Sequence, residues 1–292
     1  MLGEVPGGAR NIMVSLVYLA PADDLRGHVS SYYWFRCDRP AFADLMRAEL
    51  PQIRLVVRGQ ATTHYADGRS FGGASALLQG PTFQPSRFEG EGPLHVFGAG
   101  LLPLGWAALV GQPADRFADA AVPLASIFGP CADQLRAALC AAPDDAARAA
   151  AMDSFLRPRL QAPDPAAAQF MALADHWLTS SRAPQVDALV AATGLSQRSV
   201  ERLCRRYYGA SPKLLARKYR ALSAAVRIGT GEAQDWTEVG DGFYDQAHFI
   251  REFKCFMGKT PSRFMDESAQ LTRLTIARKT LMPDLPPLAL YS

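Results

Sequence analysis

Three arginines near the C-terminus carry the clearest chemical pattern in this 292-residue chain. Arg198, Arg202 and Arg205 recur at i, i+4 and i+7, which places them on one face of a helix. Guanidinium groups on such a face can bind guanine bidentately or pair with phosphate. The residues expected to pack inward recur at helical spacing as well: Val200, Leu203 and Tyr207. The pattern predicts an amphipathic helix with a face suited to nucleic acid.

The residues before this helix predict a helix-turn-helix motif over 186–207. Gly194 is expected to end a short apolar helix, because the positive φ of that position is easiest for glycine. Ser196 then stands where an N-cap belongs. A short helix, a glycine turn and a longer helix with arginines outward form the motif that places its second helix in the major groove of DNA.

A second copy of the pattern runs over 236–256. Gly242 is expected to make the turn and Asp245 to cap the longer helix. The predicted apolar stripe comprises Phe249, Ile250, Phe253, Phe256 and Met257. The polar side comprises Gln246, His248, Arg251 and Lys254. One copy alone would fit the solvated surface of a helical bundle equally well, whereas two copies in register favour DNA binding.

Both copies end in the same phrase, GASP at 209–212 and GKTP at 258–261. Glycine ends the recognition helix, Ser or Thr caps the next helix, and proline takes its first turn. The apolar spacing over 213–229 then predicts one long helix that joins the two motifs. For both to read one face of DNA, they must lie about one turn of B-DNA apart, ~34 Å.

These residues resemble the AraC/XylS family of bacterial transcription regulators. The resemblance is carried by GLSQRSVERL and YYGASP, then by GFYDQAHFIREFKCFMGKTP with Arg263 and Phe264 after it, and it covers about 168–267. It implies a seven-helix DNA-binding domain with two recognition helices. The base contacts that it implies are Arg198, Glu201, Arg202, Gln246, Ala247 and Arg251.

The second motif departs from the family pattern. Only Gly240 and Asp241 separate Val239 from Gly242, where family members carry a longer stretch with a small residue packed between the helices. Gly240 also disfavours the helix that contains it. The first helix of the second motif is therefore expected to be shorter than usual, or tilted.

The charge distribution agrees with DNA binding. Residues 1–182 carry 15 Arg and Lys against 17 Asp and Glu, whereas residues 183–268 carry 13 against 10. Basic residues that flank the recognition helices are expected to bind phosphate and to position the domain without reading sequence. They are Arg205, Arg206, Lys213, Lys254 and Lys259.

The N-terminal half predicts a small β-barrel or sandwich, so the fold class is α+β. Short apolar or β-branched segments at 29–35, 53–57, 62–65, 74–78 and 94–99 are punctuated by Gly and Pro. The segments 53–57 and 62–65 are expected to form a hairpin around Gly59 and Gln60. LQGP at 78–81, VFGA at 96–99 and LGW at 104–106 resemble the cupin-like sensor domain found before AraC-type DNA-binding domains.

The interior of such a barrel could hold a small effector. The candidates for contact are Trp34, Arg54, Arg58 and Phe97, with Arg54 and Arg58 expected on one strand face and suited to an anion. The aromatic residues could instead form a plain core, which is the interpretation that the sequence favours. His28, His64 and His95 show no metal-ligand spacing, so neither a metal nor another cofactor is predicted.

Four segments are predicted along the chain: a β-rich domain over 1–128, a helical segment and linker over 129–165, the double helix-turn-helix over 166–268 and a tail over 269–292. The helical stretch 131–160, broken by Pro143 and Pro158, could mediate dimerisation, as the resemblance implies, or pack on its own domain. The proline-rich end, 281–292, is expected to be mobile or draped on the surface.

Together these features predict a sequence-specific transcription regulator rather than an enzyme. It would act as a dimer on promoter DNA, and the resemblance implies contact with RNA polymerase. The alternative is a DNA-modifying or repair enzyme with a helix-turn-helix module, but none of the five scattered cysteines stands in a nucleophile motif. Unpaired cysteines, with no signal peptide and no long apolar run, predict a cytoplasmic protein with no membrane partner.

Overall fold

A computed structural model of the chain describes residues 3–4, 14–240, 242–266, 270–282 and 285–291. The N-terminal part is an antiparallel sheet of nine strands within those residues. The strands are β1 Gly3–Glu4, β2 Val14–Leu19, β3 Val29–Cys37, β4 Ala41–Met46, β5 Gln52–His64, β6 Ser70–Gly72, β7 Ala76–Gln79, β8 Ser86–Leu101 and β9 Ala121–Pro123.

The helices follow or interrupt the sheet. They are α1 Pro103–Leu109, α2 Ala125–Phe128, α3 Cys131–Ala141, α4 Asp145–Leu156, α5 Pro165–Ser180, α6 Val186–Thr193, α7 Gln197–Tyr208, α8 Pro212–Gly229, α9 Trp236–Val239, α10 Gln246–Met257, α11 Pro261–Asp266 and α12 Gln270–Leu281. Helices α5 to α11 form the predicted seven-helix region, and the predicted α+β fold class is confirmed.

The sheet is organised around β8, whose 16 residues pair with three other strands. Its first half pairs with β4, its second half with β3, and β5 runs beside both halves. The remaining order is β1-β2-β3-β8-β5-β7-β9, with β6 on β5. Side chains alternate between the two faces of each strand, so neighbouring residues serve different cores.

The predicted hairpin at Gly59 and Gln60 is wrong. Gln52–His64 is one continuous strand, and the glycine lies in a β-bulge between two registers of the β5–β8 pairing. Gly59 has φ +80°, and a Cβ there would lie 2.6 Å from the carbonyl oxygen of Pro93. The glycine does interrupt the regular strand, but pairing with β8 continues on both sides of it, so the interruption is a bulge and not a turn.

The helices α3 and α4 pack on the barrel. Leu135, Leu139, Met152 and Leu156 are buried in one cluster with the strand residues Leu55 and Phe97. Of the two alternatives for this segment, the spacer packed on its own domain agrees with this burial, because these apolar side chains are already covered within the chain.

The described residues of the tail after α11 pack against the rest of the chain. Helix α12 packs on β2 and β4, and a short 3-10 helix, Pro287–Tyr291, packs on α5 and α8. Leu285, Leu288 and Ala289 are buried in the same core as the helix-turn-helix residues. The prediction of a mobile or draped end is therefore wrong for these three residues.

Candidate nucleic-acid interface

The first motif has the predicted local geometry. Helix α6 ends at Gly194, which has φ +65°, and the Ser196 side chain accepts a hydrogen bond from the Ser199 N–H at the start of α7. Glycine removes the steric cost of the left-handed turn, and the serine satisfies one of the free N–H groups of the new helix. These two residues set the angle at which α7 leaves the turn.

The outer face of α7 is open to solvent. Arg198 and Arg202 are exposed, while Glu201 is half-buried and accepts a hydrogen bond from Arg205 at 3.0 Å. The guanidinium groups at the exposed positions can reach base edges in a major groove, and the Glu201–Arg205 pair lies across one helical turn beside them.

The inner face of α7 differs slightly from the prediction. Val200, Cys204 and Tyr208 are buried, whereas Leu203 and Tyr207 are half-buried. The Tyr208 hydroxyl donates a hydrogen bond to the Asp175 carboxylate on α5 at 2.6 Å. Sequence reasoning missed this anchor, because the partners are 33 residues apart and no local pattern links them.

The second motif is shortened, as predicted. Helix α9 has only four residues, and Asp241 lies outside the described residues. Gly242 makes the turn with φ +82°, and the Asp245 carboxylate accepts a hydrogen bond from the His248 N–H at 2.6 Å. The turn and the cap are therefore retained although the first helix is one turn long.

The face of α10 presents Gln246, Ala247 and Arg251 to solvent. The predicted apolar stripe is buried except for the half-buried Ile250. Glu252, a charge that the sequence analysis did not single out, is buried and accepts two hydrogen bonds from Arg217 of α8, at 2.7 and 2.8 Å. The hydrogen bonds from Arg217 hold the pKa of the Glu252 carboxyl below its ordinary value. This bidentate pair joins the second recognition helix to the connecting helix.

Four of the five predicted phosphate-binding residues, Arg205, Arg206, Lys213 and Lys254, are exposed. Lys259 is half-buried; burial raises the pKa of the Asp44 carboxyl on β4, and the charge of Lys259 offsets part of that rise. Lys259 thus faces the β-domain as well as solvent. The assignment of individual base and phosphate contacts remains a prediction.

The four candidate effector residues do not lie together. Trp34 and Phe97 are buried on the face of the sheet that packs against α3 and α4. Arg54 lies on the opposite face and lines a cavity. Arg58 is exposed, because the bulge between Val56 and Arg58 removes it from the face of Arg54. The expectation that both arginines share a face is wrong for this reason.

The cavity lies between the barrel and α12 and holds about 750 Å³ of unfilled space, including space open to solvent. Its walls are mainly apolar and aromatic, with Leu16, Phe35, Phe88 and Val96 among them. The charged residues that line it are Arg47, Glu49, Arg54 and Arg278. An apolar chamber with a few converging polar groups is the usual form of a small-molecule site.

The cysteines are all free. Burial raises the pKa of the Cys204 thiol to about 12, which disfavours the thiolate that a nucleophile needs. Within the part of the chain that the structure describes, no three His, Cys, Asp or Glu side chains come together as a metal site would require. No helix among the described residues is long and apolar enough to cross a membrane.

Comparison with known proteins finds a match for the helical region. Residues 189–267 match the family model described as a helix-turn-helix domain; Glu267, at its end, lies outside the described residues. No curated protein matches the chain.

Several solved structures are similar in outline. ToxT from Vibrio cholerae has a TM-score of 0.46 at 10% identity, covering 80% of this chain and 96% of that one. ToxT from another strain, with an unsaturated fatty acid bound, has a TM-score of 0.43 at 10% identity, covering 89% and 97%. The coconut allergen cocosin has a TM-score of 0.25 at 15% identity, covering 33% and 28%.

Proposed function

We infer that this protein, whose residues 189–267 form an AraC-type helix-turn-helix domain, is a DNA-binding transcription regulator. The observation that supports it most directly is the pair of recognition helices, α7 and α10, each with an open face. Arg198 and Arg202 on α7 can each bind a guanine, and Arg251 on α10 can do the same.

The two motifs read DNA differently in this proposal. Gln246 can bind adenine bidentately, and Ala247 can contact the methyl group of thymine. Arg205, Arg206, Lys213 and Lys254 bind phosphates and position the domain on the duplex. Helix α8 sets the separation of α7 and α10, since it runs from the end of one to the start of the other motif.

We also propose that an effector controls the protein. A small molecule or a partner at the N-terminal domain changes DNA binding or activation, and the cavity between the barrel and α12 supports a small molecule. The resemblance to AraC-type regulators implies a homodimer on promoter DNA and contact with RNA polymerase.

Selection of bound sequences from random duplex DNA by the full-length chain tests the proposal. Two enriched blocks about one helical turn apart are expected if both motifs read bases. A single block would mean that the shortened second motif holds only the backbone. Absence of any enrichment, with and without a cell-extract fraction of small molecules, would contradict sequence-specific DNA binding.

A further inference from the structure

Glu49 links the cavity to the helix-turn-helix region. Its carboxylate lines the cavity and accepts hydrogen bonds from Arg54 Nη2 at 3.1 Å and from Gln52 Nε2 at 2.7 Å. Its backbone carbonyl, on the other side, accepts a hydrogen bond from Lys218 Nζ at 2.7 Å. One residue therefore contacts both the candidate effector site and helix α8.

Lys218 is a cation in an unusual place. It is buried near the middle of α8, and its Nζ also donates to the carbonyl of Thr82 at 2.8 Å and lies 4.8 Å from the centre of the Phe83 ring. Burial lowers the pKa of its ammonium to about 7. A lysine buried this far from solvent depends on the two β-domain carbonyls, because an unsolvated amine without acceptors is costly.

The same edge of the β-domain holds the ends of both recognition helices. A Cβ on Gly209, after α7, would lie 2.5 Å from Cγ of Pro81, and one on Gly258, after α10, would overlap Cδ2 of Leu45. The Ala48 N–H donates to the Phe256 carbonyl of α10 at 2.9 Å. A shift at Glu49, next to Ala48, would therefore reach both helices.

We propose that the cavity binds an organic carboxylate with an apolar body at Arg54, and that Glu49 and Lys218 transmit its occupancy to the recognition helices. The inference rests on the proposed function as an effector-controlled regulator and names the ligand class and the coupling residues. Guanidinium binds carboxylate bidentately, and the walls around Arg54 suit an apolar chain.

The ligand acts by competition in this proposal. Its carboxylate takes the place of the Glu49 carboxylate on Arg54, so the Glu49 side chain moves and its backbone moves with it. The Lys218 hydrogen bond then weakens, and with it the hold of the β-domain on α8 and α10. The ligand binds more tightly to the loosened arrangement, as any effector that shifts such an equilibrium must.

Calorimetric titration of the full-length chain, without DNA, tests the site. Octanoate is the probe and octanamide its neutral match; octanoate is expected to bind about tenfold more tightly. Arg54→Gln is expected to abolish this preference. Arg87→Gln, next to cavity-lining Phe88 but directed to solvent, is the matched control and should retain it. Equal binding of the two probes, or no binding of octanoate, would overturn the ligand class.

Glu49→Gln tests the competition and keeps the shape and backbone of the site. Removing the competing carboxylate is expected to tighten octanoate binding by about tenfold. Unchanged or weaker binding would show that Glu49 does not compete for Arg54. The result does not depend on any variant of Lys218, so it stands if a change at that buried position prevents folding.

Amide hydrogen exchange tests the coupling. Octanoate is expected to accelerate exchange of the Ala48 amide by about tenfold in the wild-type chain, since that N–H bonds across to Phe256. In Lys218→Met, which keeps the aliphatic stem, exchange is expected to be fast already and octanoate to add nothing. If octanoate accelerates exchange equally in both proteins, Lys218 does not transmit the effect of the ligand.

These measurements need no DNA, so their failure is distinct from failure of the proposed function. A chain that selects a DNA motif but does not bind octanoate would keep the regulator and lose the ligand class. If the chain binds octanoate through Arg54 but selects no DNA motif, the ligand class stands and the proposed regulator function fails.

Discussion

At the scale of single residues, exposure separates the roles along α7. Arg198 and Arg202 are open to solvent at the helix face that a groove would meet, whereas Tyr208 is fixed on Asp175 beneath it. Loss of an exposed arginine should therefore affect DNA recognition with little effect on folding, and loss of an anchor should do the opposite.

Arg202→Ala is expected to cost about 1–3 kcal/mol at the selected site and to relax specificity at one base pair. The physical reason is the loss of a bidentate contact to guanine. The measurement is the affinity ratio between the selected duplex and a scrambled one. Arg26→Ala, an exposed arginine of the β-domain, is the control. If this affinity ratio is unchanged in Arg202→Ala, the proposed placement of α7 in the major groove is wrong.

Asp175 gives the protein a predicted pH dependence. Burial raises the pKa of its carboxyl from 3.8 to about 7, so over this range the folded protein holds a proton that the unfolded chain has released. Its contribution to the free energy of unfolding is therefore largest at low pH and is lost as the pH rises towards 7.

Asp175→Asn keeps an acceptor for the Tyr208 hydroxyl and removes the titration. Urea unfolding at about pH 5 and about pH 8 should show a smaller loss of stability with rising pH in this variant than in the wild-type chain. Asp187→Asn, exposed on α6, should follow the wild type. An identical pH dependence in all three proteins would contradict the raised pKa of Asp175.

At the scale of elements, the glycines before and after α7 show the difference between a constraint from local backbone conformation and one from packing against a distant part of the chain. Gly194 and Gly209 both have positive φ, of 65° and 85°. A Cβ on Gly194 would meet nothing within 4 Å, whereas one on Gly209 would collide with Pro81 of the β-domain. The two positions share backbone geometry and differ only in their surroundings.

Gly194→Ala is therefore expected to lower the free energy of unfolding by about 1 kcal/mol, from the left-handed backbone alone. Gly209→Ala should cost about 1–3 kcal/mol more, because the added methyl must displace a packed proline. Denaturant unfolding of the two variants measures the difference. Equal losses would show that the end of α7 is not seated against the β-domain in solution.

At the scale of the whole molecule, the chain closes on itself. Helix α12 forms one wall of the cavity, and the segment after it packs between α5 and α8. One core includes Leu50 and Phe83 of the β-domain together with Leu288 and the helix-turn-helix residues. The β-domain, the helix-turn-helix region and the tail therefore share contacts that any reorientation of these parts must break.

Leu288→Ala is expected to lower the free energy of unfolding by about 2–4 kcal/mol, as for other buried leucines. Leu195→Ala, at a side chain that is 38% exposed, should stay within about 0.5 kcal/mol of the wild type. Denaturant unfolding again provides the comparison. A negligible effect at Leu288 would show that this segment is draped on the surface, as its prolines suggest, and is not packed in the core.

Local patterns of residues are enough to predict the two helix-turn-helix motifs, their caps and the short first helix of the second motif. Glycine turns, serine and aspartate caps and an apolar period of 3.6 residues act within a few residues, so they can be read locally. The match of residues 189–267 to a helix-turn-helix domain model supports these motifs, while the individual DNA contacts remain predictions.

The way in which these parts pack against one another is visible only in the folded chain. A bulge places Arg54 in the cavity and Arg58 outside it, although their spacing alone puts both on one face. Lys218 and Glu49 are 169 residues apart, and the segment that contains Leu288 packs on two distant helices, α5 and α8. Such contacts arise from packing between distant elements, and the local pattern of residues does not specify them.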